Sequence, residues 1–171
     1  MNNNIFLIGF MGSGKSTVGN ILSEKLGYSF VDTDAIVEKD GEMSICKMFE
    51  QHGEKYFRER EYEALKKVMK KKNQIISTGG GIVTYEKSRE LLEGQEVYYI
   101  SVDSETVYHR LHADSTRPLL KNSSFEKMSE LLSMRKKLYE DTGTFEIDGR
   151  QAPQQVAEEI IFNIKEVRKK P

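Results

Sequence analysis

Ile5-Phe6-Leu7-Ile8-Gly9-Phe10-Met11-Gly12-Ser13-Gly14-Lys15-Ser16 is the stretch on which the fold turns. Four apolar residues in unbroken succession suit a strand covered on both faces, and Gly9 ends it. Val18, Ile21, Leu22 and Leu26 then recur at helical spacing, and Gly27 closes that helix as a C′ glycine does. Between strand and helix, Gly9–Ser16 satisfies G-x-x-x-x-G-K-[ST], in the context that gives this pattern its meaning. The glycines let successive main-chain N–H groups face one anion, and the helix N-terminus adds the positive end of its dipole. Lys15 then reaches the β- and γ-phosphates, and the Ser16 hydroxyl is a hard oxygen ligand suited to Mg²⁺. Nucleotide binding follows.

Outward from this loop, short apolar runs alternate with helical patterns. Phe30-Val31 leads into Asp32, Ile75-Ile76 lies within Gln74–Ser77, Val97–Val102 is a longer run, and Phe145–Ile147 a short one. Helical periodicity covers Glu54–Lys72, Glu86–Leu92, Glu105–His112, Phe125–Tyr139 and Pro153–Arg168. Strands alternating with helices imply βαβ units, and so a three-layer α/β fold with a central parallel sheet of about five strands. The 171 residues show no linker or internal repeat and are expected to form a single domain, 1–171. The polar stretch Ala113–Ser124 has no clear period and reads as a mobile loop.

Composition narrows the class. Twenty-six basic against 27 acidic residues give a net charge of −1, so no global field attracts nucleic acid or an anionic membrane. A single cysteine, Cys46, excludes a disulfide framework and any multi-cysteine zinc site. No apolar run approaches the ~20 residues of a membrane span. The N-terminus lacks the basic segment of a secretory signal, and a cytoplasmic location is expected. Neither D-x-x-G nor N-K-x-D occurs, so a signalling GTPase is disfavoured, and the chain is too short for a motor. A small kinase remains, which must hold an acceptor beside the γ-phosphate and exclude water. A nucleotide-dependent switch without chemistry is the rival of a different class.

Candidates for the acceptor half are scattered. Asp32-Thr33-Asp34 ends the second strand, at the carboxyl edge where parallel sheets bind ligands. One carboxylate can hold Mg²⁺ through water and the other accept a hydrogen bond from an attacking hydroxyl, while either can also cap the helix beginning near Ala35. Arg58 shares a helical stripe with Tyr62, Leu65 and Met69, and an arginine on an apolar stripe needs an anion. An internal salt bridge and a bound carboxylate satisfy that need equally. Gly79-Gly80-Gly81 permits unusual backbone angles and close approach of a ligand to main-chain N–H groups. No acid ends the preceding strand, and Asp103, which follows Val97–Val102, reads as an N-cap. Arg117, on the polar loop, suits a cation that swings onto the transferring phosphoryl group. Arg110 suits a similar part or a pairing with a neighbouring acid, and Arg135 reads as a second anion clamp. His109 and His112 read as ordinary helical histidines, and Cys46 as a small buried hydrophobe.

Together, Gly9–Thr17, Asp32-Thr33-Asp34, Phe57-Arg58-Glu59-Arg60-Glu61, Gly79-Gly80-Gly81, Arg117-Pro118-Leu119-Leu120, and Arg135 with Tyr139 resemble the shikimate kinase family, in order and over nearly the whole chain. The resemblance implies a nucleoside-monophosphate-kinase-like fold and transfer of the ATP γ-phosphate to the 3-hydroxyl of shikimate with Mg²⁺, in aromatic amino acid biosynthesis. It implies ATP on Gly12, Ser13, Gly14, Lys15, Ser16 and Thr17, metal on Ser16 and Asp32, and Asp34, with Lys15 and Arg117, in catalysis. Arg58, Arg135, Gly80 and Asp34 would hold shikimate, which settles the even choice at Arg58 in favour of ligand. The acceptor segment would span about 33–62 and a lid about 113–124, in a monomer whose partners are ATP and shikimate. Two departures lie near the C-terminus. Lys137 stands where the family often has proline, and Asp148–Pro153 matches the adenine-contacting stretch loosely, leaving Arg150 or Gln151 to touch adenine.

Overall fold

Strands β1 (Ile5–Ile8), β2 (Ser29–Asp32), β3 (Gln74–Ser77), β4 (Glu96–Ser101) and β5 (Phe145–Asp148) form one sheet in the order β2-β3-β1-β4-β5, with every pair parallel. This computed structural model describes residues 3–113 and 124–169. Helices α1 (Lys15–Leu26), α2 (Thr33–Gly41), α3 (Ile45–Val68), α4 (Glu86–Leu92), α5 (Ser104–Ala113), α6 (Phe125–Thr142) and α7 (Pro153–Lys169) complete the described chain.

The alternation of β1 explains its unbroken apolar run. Ile5 and Leu7 pack with Val18 and Leu22 of α1 and Val156 and Ile160 of α7. Phe6 and Ile8 face the other way, toward Leu65, Leu92, Leu132 and Tyr139. β4 repeats the arrangement, with Tyr98 and Ile100 on the first face and Val97 and Tyr99 on the second. A strand covered on both sides has no polar face, which is why its sequence does not alternate. The result is the three-layer α/β sandwich expected from the sequence. Because β1 lies between β3 and β4, the strand order reverses at its carboxyl end, the switch point where open parallel sheets place ligands. A smaller cluster, Val37, Met48, Phe57 and Ala64, gives α2 and α3 a core of their own.

Several boundaries depart from the sequence reading. The helix expected over Glu54–Lys72 begins earlier, at Ile45, and ends at Val68. Gly53 interrupts it with φ 78 and ψ 175, so Glu54 is where regular helix resumes. Beyond Val68 the chain must turn into β3, and Asn4 and Gln74 hold that turn by donating to Lys71 O and Val68 O. Cys46 is a correction. It is exposed rather than buried, because it lies on the outer face of α3 with Sγ 3.6 Å from Glu50. Asp103 does cap, accepting from Thr106 N at 2.7 Å. The lid segment falls almost wholly on residues outside those described.

Candidate active site

The phosphate loop sits at the carboxyl end of β1. Gly12 and Gly14 hold φ values of 75 and 96, the left-handed region open to glycine. Gly14 is also the N-cap of α1 and makes no side-chain cap hydrogen bond, so the first helical amides face outward as an anion site requires. The Lys15 ammonium lies under the loop, 2.7 Å from Gly9 O and 3.0 Å from Phe10 O, which braces the curl from within. The surrounding cleft, about 370 Å³, is lined by Gly12–Val18, Asp32, Asp34, Ser77, Gly80, Arg110 and Gln151 among others.

Asp32 divides its two oxygens. Oδ1 accepts from Asp34 N at 2.9 Å and caps α2, while Oδ2 lies 3.4 Å from Ser16 Oγ. Ser77 Oγ is 3.5 Å from the same Ser16 hydroxyl. One carboxylate oxygen and two hydroxyls beside a phosphate cradle are hard donors, few in number. They fit a small divalent cation that keeps most of its shell as water and phosphate oxygen. Capping and metal support are therefore compatible at Asp32.

Deeper in the cleft is a group of buried charges. Arg58 is 7% exposed and Glu61 only 1%. Arg58 Nη1 donates to Glu61 Oε2 at 2.5 Å, and Nη2 and Nε donate to Glu54 Oε1 at 3.1 and 3.3 Å. These bonds use three of the five guanidinium N–H groups, so the fork retains capacity for a further anion. Asp34 Oδ1 and Glu61 Oε1 are buried without a hydrogen-bond partner among the described residues. Burial raises Asp34 from its ordinary 3.8 to about 6, with the Asp32 charge adding to the rise and Lys15 opposing it. Burial likewise raises Glu61 from 4.5 to about 7, against the pull of Arg58. Orphaned acids in a cleft, poised near neutrality, mark a place for ligand chemistry.

The three glycines explain how these groups crowd together. None of Gly79, Gly80 and Gly81 has positive φ, so close approach and not unusual backbone angle accounts for them. A side chain at Gly79 would overlap Glu61 Oε1 and Asp34 Oδ1, and one at Gly81 would overlap the Arg58 guanidinium. A Cβ on Gly80 would stand 3.2 Å from Met11 N, against the phosphate loop itself. Thr33 Oγ1 accepts from Gly79 N at 3.2 Å, tying this turn to the start of α2. Across the cleft, α6 brings Arg135 to 5.9 Å from the Phe10 ring.

The structure thus gathers Lys15, Ser16, Asp32, Asp34 and Gly80 on the cleft lining, with Arg58 against Gly81 and Arg135 beside Phe10, from five chain segments. Of the two adenine candidates, Gln151 lines the cleft. Arg150 turns away, bonded to Asp148 at 2.8 and 2.9 Å. Arg117 lies outside the described residues. Among the described residues Arg110 bonds carbonyls: Gly12 O at 3.2 Å, Ser13 O at 3.4 Å and Gly149 O at 2.7 Å. It joins the phosphate loop to the end of β5. Nothing in local spacing announces that role. Glu61 had no role assigned from sequence, although its position three residues after Arg58 on one helix is a readable signal.

Comparison with known proteins agrees with this geometry. Residues 11–165 match the family model described as shikimate kinase. A shikimate kinase of Persephonella marina is 40% identical over 163 residues, covering 95% of this chain and 99% of the relative. A shikimate kinase from Acinetobacter baumannii, solved in complex with shikimate, superposes with a TM-score of 0.88 at 34% identity, covering 97% of this chain and 94% of that one. The fold extends further, to a deoxyadenosine kinase from M. mycoides at a TM-score of 0.64 and 18% identity, covering 96% of this chain and 99% of that one.

Proposed function

The chain belongs to the shikimate kinase family, and from that premise we propose how its residues carry ATP-dependent phosphorylation of the shikimate 3-hydroxyl to give shikimate 3-phosphate and ADP. The observation that carries the reading is the convergence of Asp34, Glu61 and Arg58 on Gly79–Gly81, directly beside the phosphate loop. An anion-binding guanidinium and a raised carboxylate there suit an acid-bearing alcohol facing a terminal phosphate.

The amides of Gly12–Thr17 and the Lys15 ammonium hold the triphosphate and offset charge on the moving phosphoryl group. Arg58 and Arg135 grip the shikimate carboxylate, and the Gly80 main chain adds a contact. Asp34 accepts a hydrogen bond from the 3-hydroxyl and takes its proton as that oxygen bonds to the γ-phosphorus and the bond to the departing ADP oxygen breaks. A carboxylate raised to about 6 is matched to that task near neutral pH. Family members use a divalent metal, and we assign Mg²⁺ to Ser16 and, through water, to Asp32. When bound, it would offset negative charge on the triphosphate. Gln151 meets the adenine in preference to Arg150. The lid over about 113–124, with Arg117 contacting the phosphates, remains part of the proposal, as does the acceptor segment over about 33–62. Most of the acceleration comes from positioning and fixed charge.

The proposal extends to a single-domain monomer, since the assigned residues all come from one chain, and to the cytoplasm, where ATP is supplied. No described helix is long and apolar enough to cross a membrane. A coupled assay of ADP release with shikimate, gluconate and AMP as acceptors tests the reading. Turnover is expected with shikimate alone, and release with gluconate or AMP in its place would overturn it.

A further inference from the structure

Tyr139 is fully buried, near the C-terminal end of α6, on the side that carries Arg135 one helical turn earlier. Its ring stacks on Tyr99 of β4, with centroids 5.2 Å apart and planes 14° from parallel. Its hydroxyl donates to Gly80 O, across 59 residues of sequence. The charges of Arg135, Arg58 and Glu61 all act on the same hydroxyl. A buried tyrosine needs a partner for its hydroxyl, and this one takes the carbonyl of a residue assigned to the acceptor.

We propose that Tyr139 is a positioning residue for acceptor binding, whose hydroxyl fixes the Gly80–Gly81 peptide in one arrangement beside the Arg135 charge. The ring stack immobilises the hydroxyl, since both χ angles are set by packing between α6 and β4. The Gly80 carbonyl is then occupied, which leaves its N–H as the group to meet a substrate oxygen. The turn is thus held before ligand arrives, so less ordering remains to be done on binding. Gly80 also abuts Met11 of the phosphate loop, so the same bond sets the spacing between acceptor clamp and nucleotide cradle.

This inference rests on the shikimate reading, and Tyr139→Phe tests it. The variant keeps the stack and removes only the hydroxyl. The shikimate KM is expected to rise about tenfold, with kcat changed less than about threefold and the ATP KM unmoved. A hydroxyl that merely satisfies the core would lower Tm and leave the acceptor KM within twofold, and that result would overturn the proposal. A double-mutant cycle with Arg135→Lys supplies a second readout, because non-additive effects on acceptor KM are expected and additive ones count against it. Wild-type protein that releases no ADP with shikimate would sink both readings. Normal wild-type turnover with an unmoved acceptor KM in Tyr139→Phe would sink this one alone.

Discussion

The nucleotide half of the cleft, as we propose it, is made by consecutive residues, Gly9 to Thr17, and relies on neutral main-chain amides backed by one lysine. The acceptor half, as we propose it, draws Asp34, Arg58, Gly79–Gly81 and Arg135 from separate segments and relies on charges, several of them buried. Amides in a loop are held by the backbone itself, so each depends little on its neighbours. Buried charges hold one another. Removing one leaves another in low dielectric without compensation, and the fold as well as the chemistry suffers. Perturbations in the first half should therefore separate activity from stability, and those at the Arg58–Glu61 pair in the second should not.

Lys15→Met should give the largest effect on rate, with kcat down on the order of 10⁴-fold from lost charge stabilisation. Tm should move by no more than a few degrees, as thermal scanning would read. Asp34→Asn should lower kcat by about 10³-fold. Because it also removes a buried charge beside Asp32, Tm should hold or rise, and a fall would mean the carboxylate is structural. Arg58→Ala should raise the shikimate KM about 100-fold while the ATP KM stays near normal. It should also cost about 3–5 kcal/mol of stability, since Glu61 is left buried and unpaired. Arg58→Ala combined with Glu61→Gln should recover much of that stability but none of the affinity, as denaturation and kinetics would separately report.

Proton linkage gives a fourth way to sharpen the contrast. Asp34 and Glu61 are raised to about 6 and about 7 in the folded protein, so the native state binds protons more tightly than the unfolded chain. Stability from these groups is present at low pH and is lost as pH rises through those values. Without nucleotide, wild-type stability should therefore gain on that of Glu61→Gln as pH falls from 8 to 5. A constant difference would deny the linkage. Rate should run the other way, with kcat/KM falling below about pH 6 as Asp34 takes up its proton. The smallest effect concerns the kink under the acceptor segment. Gly53 has φ 78 and ψ 175, a region essentially restricted to glycine, so Gly53→Ala should cost about 1–3 kcal/mol. An unchanged urea midpoint would show that α3 straightens without strain.

Legibility followed the same division. β1, the loop and α1 could be read because strand, turn and helix signals are local and adjacent, and Gly27 ends the helix as expected, with φ 68. The sheet followed from alternating periodicities. Less local features did not follow. Cys46 was read as buried because it stands beside Ile45 in a helical pattern, but only packing decides which face of α3 is covered. Arg110 was ambiguous because its partners, three carbonyls, leave no mark in sequence. At Arg58 spacing showed that an anion was needed and could not choose between an internal acid and a ligand. The structure holds Glu61 and Glu54 on it and leaves two N–H groups for more.

From its residues alone, then, this chain declares an α/β phosphate-binding protein, because a hydrogen-bonding backbone and a 2.0 or 3.6 residue period are written over short distances. Only the tertiary structure brings Asp34, Glu61 and the Arg58 guanidinium against the bare backbone of Gly79–Gly81, with Tyr139 reaching Gly80 across 59 residues. Burial is a property of the packed molecule. The raised carboxylates, and the meaning of each charged side chain in the cleft, therefore exist only once the sheet and its helices have closed around them.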